Sequence, residues 1–491
     1  MEKIKQLLFI LLGPVAFGLI EMSHPPNSMS IEALHVLAST VWIAIWWITE
    51  IIPIAVTSML PILLFPLTGA MDLNTTTASY GDKYIFLYLG GFILAITIEK
   101  WGLHKRIALS IIRLIGVNIT TIILGFMLAT AFLSMWISNT ATAVMMLPIG
   151  MAVVSQFKEH NHGLGLDAEH IGRAIMISIA YSASIGGFAT LIGTPPNLVL
   201  AGILEETYGI KISFFQWLQF GLPLSLLTLL LCWVYLTKIA NKFGQKEFPG
   251  GIEKIKSMLT QLGKVSYEER IVLVVFVTTA LLWIFRALIQ DIIPAFDDTI
   301  VGVMAGTCLF LIPAKEKGKR LITWSDCSKE VPWGILLLFG GGMALAKGFT
   351  VTGLAQWIAT QITMLQGISL ILLILILVAA INFLTEVTSN IATTAMILPV
   401  LAPMALAFNL HPLMIMVPVT ISASCAFMLP VATPPNAVVF ASGYLKISDM
   451  IKSGIWMNLT TIFLITLLTY FLLPIIWGIN PNEFPIQLPQ P

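Results

Sequence analysis

The chain has 491 residues, of which 57% are hydrophobic and only 10% are charged. Soluble domains carry roughly 25% charged residues, so this composition excludes a soluble globular protein and indicates an integral membrane protein. The net charge of +1 leaves no basic excess, and nucleic acid is therefore not expected as a partner. The four cysteines, Cys232, Cys308, Cys327 and Cys425, show neither metal-ligand nor redox spacing, so no disulfide framework is predicted.

Apolar windows of about 17 to 25 residues predict eleven membrane-spanning helices. The first, at residues 7–23, follows Lys3 and Lys5 but lacks a clear small-residue cleavage site, so we interpret it as a helix rather than a signal peptide. The other ten spans are predicted at residues 31–50, 53–71, 84–99, 173–200, 213–237, 270–290, 298–313, 332–347, 412–442 and 453–477.

Two further apolar runs, at about residues 119–157 and 368–408, are interrupted by small polar side chains. The first contains Ser138-Asn139-Thr140, and the second contains Ser389-Asn390-Ile391. An unpaired polar group in hydrocarbon costs several kcal/mol, so a polar cluster that occurs twice indicates a binding site. Each run is predicted to form a re-entrant hairpin with this cluster at its tip.

The hairpins belong to a longer internal repeat. Glycines at 90–91 correspond to glycines at 340–342, and the sequence Thr-Pro-Pro-Asn occurs at 194–197 and again at 433–436. Each repeat would contain five spans and one hairpin, and an odd number of spans makes the second repeat inverted relative to the first. The predicted organisation is a first helix at 1–30, repeat one at 31–237, a linker at 238–269, repeat two at 270–478 and a tail at 479–491.

Lysine and arginine residues cluster in five loops that the positive-inside rule assigns to the cytoplasm. These loops are residues 100–113, 158–173, 238–270, 315–329 and 446–452. Eleven spans, with both hairpins returning to their own side, put all five loops on one face. The N-terminus and the linker are then predicted to be cytoplasmic and the tail extracytoplasmic, and the short loops suit a bacterial inner membrane.

The two Thr-Pro-Pro-Asn sequences predict broken helices at about 173–200 and 412–442. Two consecutive prolines remove two backbone donors and clash with the preceding turn. A break exposes carbonyl oxygens at the end of the first half-helix and N–H groups at the start of the second. Such a break offers ligands for a cation beside donors for an anion.

Polar side chains at the tips and breaks can supply the remaining contacts. Asn139 and Asn390 can each offer an amide N–H to a carboxylate and a carbonyl oxygen to a cation, while Thr140, Thr194 and Thr433 can donate hydroxyl hydrogen bonds. Because no Lys or Arg lies near either Ser-Asn motif, an anionic substrate would be held by neutral dipoles and neighbouring cations.

Two carboxylates are candidates for other roles. Glu386 is the only Asp, Glu, Lys or Arg between Lys347 and Lys446. It is either a functional intramembrane carboxylate or a structural one paired with backbone donors. Glu50 follows two tryptophans near a span end and is interpreted as structural. A membrane-embedded enzyme that uses Glu50, Glu386 or a histidine is the alternative class, but no metal cluster, nucleophile–base pair or phosphate loop supports it. No catalytic residue is predicted.

These motifs together resemble the divalent anion/sodium symporter family, whose members take up dicarboxylates, citrate or sulfate. The resemblance rests on Trp-Trp-Ile-Thr-Glu at 46–50, Ile-Pro-Ile-Ala-Val-Thr at 52–57, both Ser-Asn motifs, both Thr-Pro-Pro-Asn motifs and residues 424–439. It implies an all-α polytopic protein of eleven spans in two inverted repeats, and a homodimer formed through a scaffold domain in the lipid bilayer. It also implies a transport domain that moves like an elevator.

The resemblance implies two sodium sites and one substrate site. The first sodium site corresponds to Ser134, Ser138, Asn139 and Gly193, and the second to Thr385, Thr388, Asn390 and Ala432. The residues that correspond to the substrate site, and would contact its carboxylates, are Asn139, Thr140, Ser389, Asn390, Thr433 and Pro434. Thr194 is a further hydroxyl donor. Ile391 stands where the full motif has Thr, so the second tip lacks one hydroxyl.

The leading hypothesis is therefore sodium-coupled symport of a small divalent anion, with C4-dicarboxylates such as succinate, malate and fumarate favoured. A sodium-independent dicarboxylate exchanger of the same family is the alternative mechanism. Citrate and sulfate remain alternative substrates.

Overall fold

The computed structural model describes residues 2–116, 118–160, 165–241, 243, 250–362 and 367–485. Within these ranges the chain is mainly helical, and an isolated antiparallel bridge joins Pro313 and Arg320. Seven helices of the described chain are long and apolar enough to cross a membrane, and six shorter apolar helices accompany them. The prediction of an all-α polytopic membrane protein is confirmed.

The helices of the first half follow the predicted spans closely. The span predicted at 53–71 is interrupted at Ser58 and Met59, ahead of Pro61, and the span predicted at 213–237 ends in a π-helical turn, Tyr235–Ala240. The helices are α1 Glu2–Glu21, α2 Ile31–Thr49, α3 Ile54–Thr57, α4 Leu60–Thr68, α5 Leu73–Ala78, α6 Lys83–Lys100, α7 Leu103–Ile115, α8 Ile119–Ser134, α9 Asn139–His160, α10 Gly165–Gly187, α11 Pro195–Tyr208 and α12 Phe214–Val234.

The second half has the same order of elements. In both halves a span is followed by a surface helix, two hairpin arms, a broken helix and another span, which are α6 to α12 and then α18 to α24. The helices are α13 Gly251–Gln261, α14 Tyr267–Ile284, α15 Arg286–Gln290, α16 Asp298–Leu311, α17 Trp324–Glu330, α18 Trp333–Val351, α19 Leu354–Ile362, α20 Leu370–Leu384, α21 Asn390–Ala407, α22 Leu413–Ala423, α23 Pro434–Phe440, α24 Ile447–Phe471 and α25 Leu473–Trp477.

The limits of the predicted segments remain predictions. Residues 242 and 244–249 of the linker predicted at 238–269, and residues 486–491 of the tail predicted at 479–491, lie outside the described residues. The described part of the linker contains α13, which packs on α7 and α9 with Ile255 buried.

The short helices α7 and α19 were not predicted. Each connects a span to a hairpin at the equivalent place in the two halves. Arg106 fixes α7 in position, because its Nε donates to Glu269 Oε1 at 2.8 Å and its Nη1 donates to the Gly263 carbonyl at 3.1 Å. The connection to the first hairpin is therefore held against the start of α14.

The two halves pack on each other reciprocally. Span α6 of the first half lies against α16 of the second, and α18 of the second half lies against α3 of the first. Glycines permit both contacts: a Cβ at Gly90 would collide with the Gly302 backbone, and one at Gly341 would lie 2.6 Å from the Ser58 carbonyl oxygen. The glycine pairs therefore serve close packing.

The broken helices also exchange partners. The first arm α10 packs on α23, the second arm of the other broken helix, while α22 packs on α11 in the same way. Two side-by-side broken helices make such contacts when they run antiparallel. This arrangement agrees with inverted repeats, and it brings both breaks to one level of the protein.

Residues 479–485 of the tail fold back over the base of the second hairpin. The Phe484 N–H donates to Asn409 Oδ1 at 3.3 Å, and the His411 N–H donates to the Pro481 carbonyl at 3.3 Å. The Phe484 ring also packs against Tyr208 at the end of α11, with a centroid distance of 5.7 Å. The tail thereby ties α11 to the loop between α21 and α22.

His411 makes folding stability depend on pH. Burial lowers the pKa of His411 from 6.5 to about 4. As pH falls, the unfolded chain binds this proton near pH 6.5 whereas the folded protein stays neutral until about pH 4, so stability decreases across that window, by at most about 3 kcal/mol. Burial also lowers the pKa of His104 to about 4, so we expect His411→Asn to reduce, and not to remove, the fall of the thermal unfolding temperature between pH 7 and pH 4.5 in detergent. Parallel pH profiles for the variant and the parent would contradict this expectation.

Candidate functional site

The first hairpin tip is built around Asn139. Arm α8 ends at Ser134 and arm α9 begins at Asn139. Ser134 Oγ lies 2.6 Å from Asn139 Oδ1 and 2.6 Å from the Ala183 carbonyl oxygen of α10. A hydroxyl carries one proton, so these three oxygens share a single hydrogen and form an oxygen-rich cluster. Gly187 leaves room for it, because a Cβ there would lie 2.5 Å from Asn139 Oδ1.

The second tip repeats this arrangement. Thr385 Oγ1 lies 2.7 Å from Asn390 Oδ1 and 2.8 Å from the Ala423 carbonyl oxygen of α22. Thr388 adds a hydroxyl contact with Thr393 at 2.7 Å. Both tips therefore join a hydroxyl, an asparagine amide oxygen and a carbonyl oxygen from the adjacent broken helix.

Asparagines of the two Thr-Pro-Pro-Asn sequences hold the breaks. Asn197 Nδ2 donates to the Thr190 carbonyl at 2.8 Å, and Asn436 Nδ2 donates to the Leu429 carbonyl at 3.0 Å. Each side chain is fully buried. The amide thus closes the loop between the two arms of its own broken helix.

The prediction that the second arm of each broken helix begins with free N–H donors for an anion is wrong. Helices α11 and α23 each begin with two prolines at their first two positions, and proline has no N–H. The hairpin arms provide donors instead, because the first N–H groups of α9 and α21 have no partner within their helices. Both arms begin at the tips, at Asn139 and Asn390.

Glu386 is a structural carboxylate that organises the second break. Its Oε1 accepts hydrogen bonds from the Phe427 N–H at 2.8 Å and from Asn458 Nδ2 at 2.7 Å. The N–H groups of Met428 and Leu429 also donate to it, at 3.0 and 3.1 Å. Of the two predicted alternatives, pairing with backbone donors is the one observed. The corresponding position of the first half is Met135, whose carbonyl accepts from Thr190 Oγ1 at 2.6 Å.

Both tips and both breaks line one cavity of about 770 Å³. Every residue predicted to bind substrate lies on its wall: Asn139, Thr140, Thr194, Ser389, Asn390, Thr433 and Pro434. Of the residues predicted to bind sodium, Ser138, Asn139, Gly193, Thr388, Asn390 and Ala432 also line it. Ser134 and Thr385 lie behind the wall and contact the asparagines.

Residues 4–477 match the family described as the sodium:sulfate symporter transmembrane region. The chain belongs to this symporter family. Membership identifies a transporter and not an enzyme.

Two curated relatives of this symporter-family chain are close in sequence. It is 45% identical over 486 residues to the sodium-dependent dicarboxylate transporter SdcS of Staphylococcus saprophyticus, with 97% of this chain and 93% of the relative covered. It is 44% identical to SdcS of Staphylococcus aureus strain USA300 over the same shares.

Two solved structures share the fold of this symporter-family chain. The transporter YdaH of Alcanivorax borkumensis has a TM-score of 0.58 and 14% identity, covering 86% of this chain and 90% of its own. MtrF of Neisseria gonorrhoeae, described with a class of antimetabolite efflux pumps, has a TM-score of 0.55 and 15% identity, covering 84% and 85%. At these identities the likeness concerns the fold alone.

Other helices complete the cavity wall with residues that were not predicted to bind substrate or sodium. Tyr88 of α6, Ile335 of α18, and Ile48 and Thr49 of α2 lie on the wall. Glu50 joins them as the only carboxylate on the described wall, where no Lys or Arg lies. Glu50 caps α2 in a left-handed conformation with φ 48°, so it has a structural role and also faces the cavity.

Proposed function

We propose that this protein takes up C4-dicarboxylates such as succinate, malate or fumarate by symport with sodium ions. The proposal rests on one observation above all: two matching oxygen clusters flank a cavity whose described wall has no lysine or arginine. A dianion in such a site needs positive charge from elsewhere, and sodium ions beside it would supply that charge. The identity to staphylococcal sodium-dependent dicarboxylate transporters supports the same substrate and ion.

The two oxygen clusters are the proposed sodium sites. The first comprises Ser134, Ser138, Asn139 and Gly193, and the second comprises Thr385, Thr388, Asn390 and Ala432. Hydroxyl, amide and carbonyl oxygens are hard ligands suited to an alkali cation. The carbonyls of Ala183 and Ala423, which contact Ser134 and Thr385, are further candidates.

The substrate site is proposed between the tips. One carboxylate would accept hydrogen bonds from Asn139 and Thr140, and the other from Ser389 and Asn390. Thr194, Thr433 and Pro434 would close the wall at the breaks. The backbone N–H groups at the start of α9 and α21 compensate in part for the hydroxyl missing at Ile391.

The cavity opens to the cytoplasm under the predicted topology. The basic loops put the C-terminal end of α2 and the start of α18 on the cytoplasmic side, and Ile48, Glu50 and Ile335 from these two ends line the cavity. We infer a cytoplasmic N-terminus, an extracytoplasmic C-terminus and a bacterial plasma membrane. A homodimer in lipid and an elevator movement belong to the same proposal. In that movement, the hairpins and broken helices would move as one body against a frame of α2 to α6 and α14 to α18.

Uptake into proteoliposomes tests the proposed function. The purified protein is reconstituted, and labelled succinate uptake is measured with an inward sodium gradient, an inward potassium gradient, and succinate preloaded inside. Uptake into empty vesicles that requires sodium supports symport. Uptake that requires preloading and ignores sodium would replace symport with exchange, and preferential competition by citrate or sulfate would replace the substrate.

Two ion pairs join the proposed moving body to the frame on the extracytoplasmic side. Glu205, at the end of α11, lies 2.8 Å from Lys83 of α6, and the adjacent Glu206 pairs with Lys347 of α18. Partly exposed pairs contribute roughly 0.2–1 kcal/mol each. Both would hold the body in the cytoplasm-facing position.

We expect Lys347→Met to lower the KM for uptake by up to about fivefold, because weakening the cytoplasm-facing state populates the state that binds external substrate. The exposed Lys319, which pairs with Glu316 of its own loop, gives the control variant Lys319→Met. An unchanged KM in Lys347→Met would show that this pair does not bias the two states.

A further inference from the structure

Tyr88 reaches the cavity from outside the hairpins and broken helices. It lies on α6, and it is one of the cavity-lining residues although only 4% of the residue is exposed. Its ring is fixed against Phe92 at a centroid distance of 4.1 Å. The small exposed surface of Tyr88 therefore faces the cavity.

The neighbourhood of Tyr88 includes the first break. Gly91 lies three residues later on the same face of α6, and a Cβ at Gly91 would lie 3.8 Å from Ile192 Cδ1. Ile192 immediately precedes Gly193 and Thr194, which line the cavity. Tyr88 therefore lies about one helical turn from the point where α6 contacts the first break.

The Tyr88 hydroxyl has no hydrogen-bond partner among the described residues. It is also absent from the set of fully buried, unpaired polar atoms, so its oxygen keeps some accessible surface. Two other buried tyrosines of the described chain are paired: Tyr181 donates to the Phe427 carbonyl at 2.9 Å, and Tyr208 donates to the Ala402 carbonyl at 2.6 Å. A phenol O–H in a dry wall normally finds an acceptor. Tyr88 therefore carries an unused donor on a residue that lines the cavity.

We propose that the Tyr88 hydroxyl donates a hydrogen bond to a carboxylate of the bound dicarboxylate, which makes Tyr88 a substrate-binding residue in addition to the two tips. This inference rests on the proposed function. A site without lysine or arginine gains anion affinity from each neutral donor, and a hydrogen bond to a charged acceptor is stronger than one between neutral groups.

Ligand binding to purified full-length protein tests the proposal with Tyr88→Phe. This variant removes one oxygen and keeps the ring contact with Phe92, so the unliganded unfolding temperature is expected to be unchanged. In saturating sodium, the succinate Kd from calorimetry is expected to rise about tenfold or more. Thermal stabilisation by sodium without succinate is expected to be the same as in the parent protein.

Tyr470→Phe is the matched control, because Tyr470 lies on α24, packs against Phe471 and does not line the cavity. An unchanged succinate Kd in Tyr88→Phe would overturn the proposal. Loss of stabilisation by sodium alone would also overturn it, because the hydroxyl would then act on the cation sites or on folding. If the parent protein itself shows no succinate binding in sodium, the proposed function fails and not the role of Tyr88.

Discussion

Asn139→Ala and Asn390→Ala are each expected to abolish sodium-driven succinate uptake while the protein still folds. Each asparagine belongs to an oxygen cluster and also faces the cavity. Alanine removes a cation oxygen and a substrate donor together, and charge-assisted contacts of this kind are worth roughly 1.5–3 kcal/mol each. Uptake is therefore expected to fall to about a hundredth of the parent rate or below.

Asn74→Ala serves as the control for these two variants. Asn74 lies on α5, away from the cavity, and only its backbone makes the hydrogen bonds seen there. The measurement is initial uptake per reconstituted protein, with the unfolding temperature recorded for every variant. Normal transport by either tip variant would show that the two-tip site is wrong.

Glu386→Gln is expected to destabilise the protein and to stop transport together. The carboxylate accepts from three consecutive backbone N–H groups and from Asn458. A glutamine has one acceptor oxygen and a donor NH₂, which would face N–H groups that also donate. A buried group left without a partner costs about 1–3 kcal/mol, so a clear drop in unfolding temperature is expected.

The exposed Glu330 gives the matched control, Glu330→Gln, because it lies on α17 far from the second break. Unfolding temperature and sodium-driven uptake are measured for both variants. A Glu386→Gln protein with parental stability but no uptake would assign the carboxylate to substrate or cation binding rather than to the break. If both the unfolding temperature and the uptake stay at the parental values, the hydrogen bonds from these four donors contribute to neither stability nor transport.

The tips and breaks were predictable from sequence because their chemistry conflicts with their surroundings. Asn139, Asn390 and the double prolines lie in apolar runs where a polar or helix-breaking residue is costly. Their repetition then predicted a common site. Both asparagines and at least one proline of each pair line the cavity.

Other parts of the site leave no comparable sequence signal. Backbone carbonyls such as those of Ala183 and Ala423 exist at every residue, so only folding selects them. Tyr88 lies in an ordinary aromatic span, and its place on the wall depends on how α6 packs. The two breaks lack free N–H donors because the prolines that break each helix are also the first two residues of its second arm.

The exchange of partners between the broken helices constrains how the protein is made in the cell. Arm α10 has α23 as a neighbour, and α11 has α21 and α22, all of which leave the ribosome much later. During synthesis the first break and the polar tip of the first hairpin are therefore inserted into the bilayer before their final neighbours have been made. Contacts between distant parts of a chain form slowly, and half-built intermediates are prone to misassembly. The first half is consequently a poor candidate for independent expression, and the site is completed only after the last spans have been inserted.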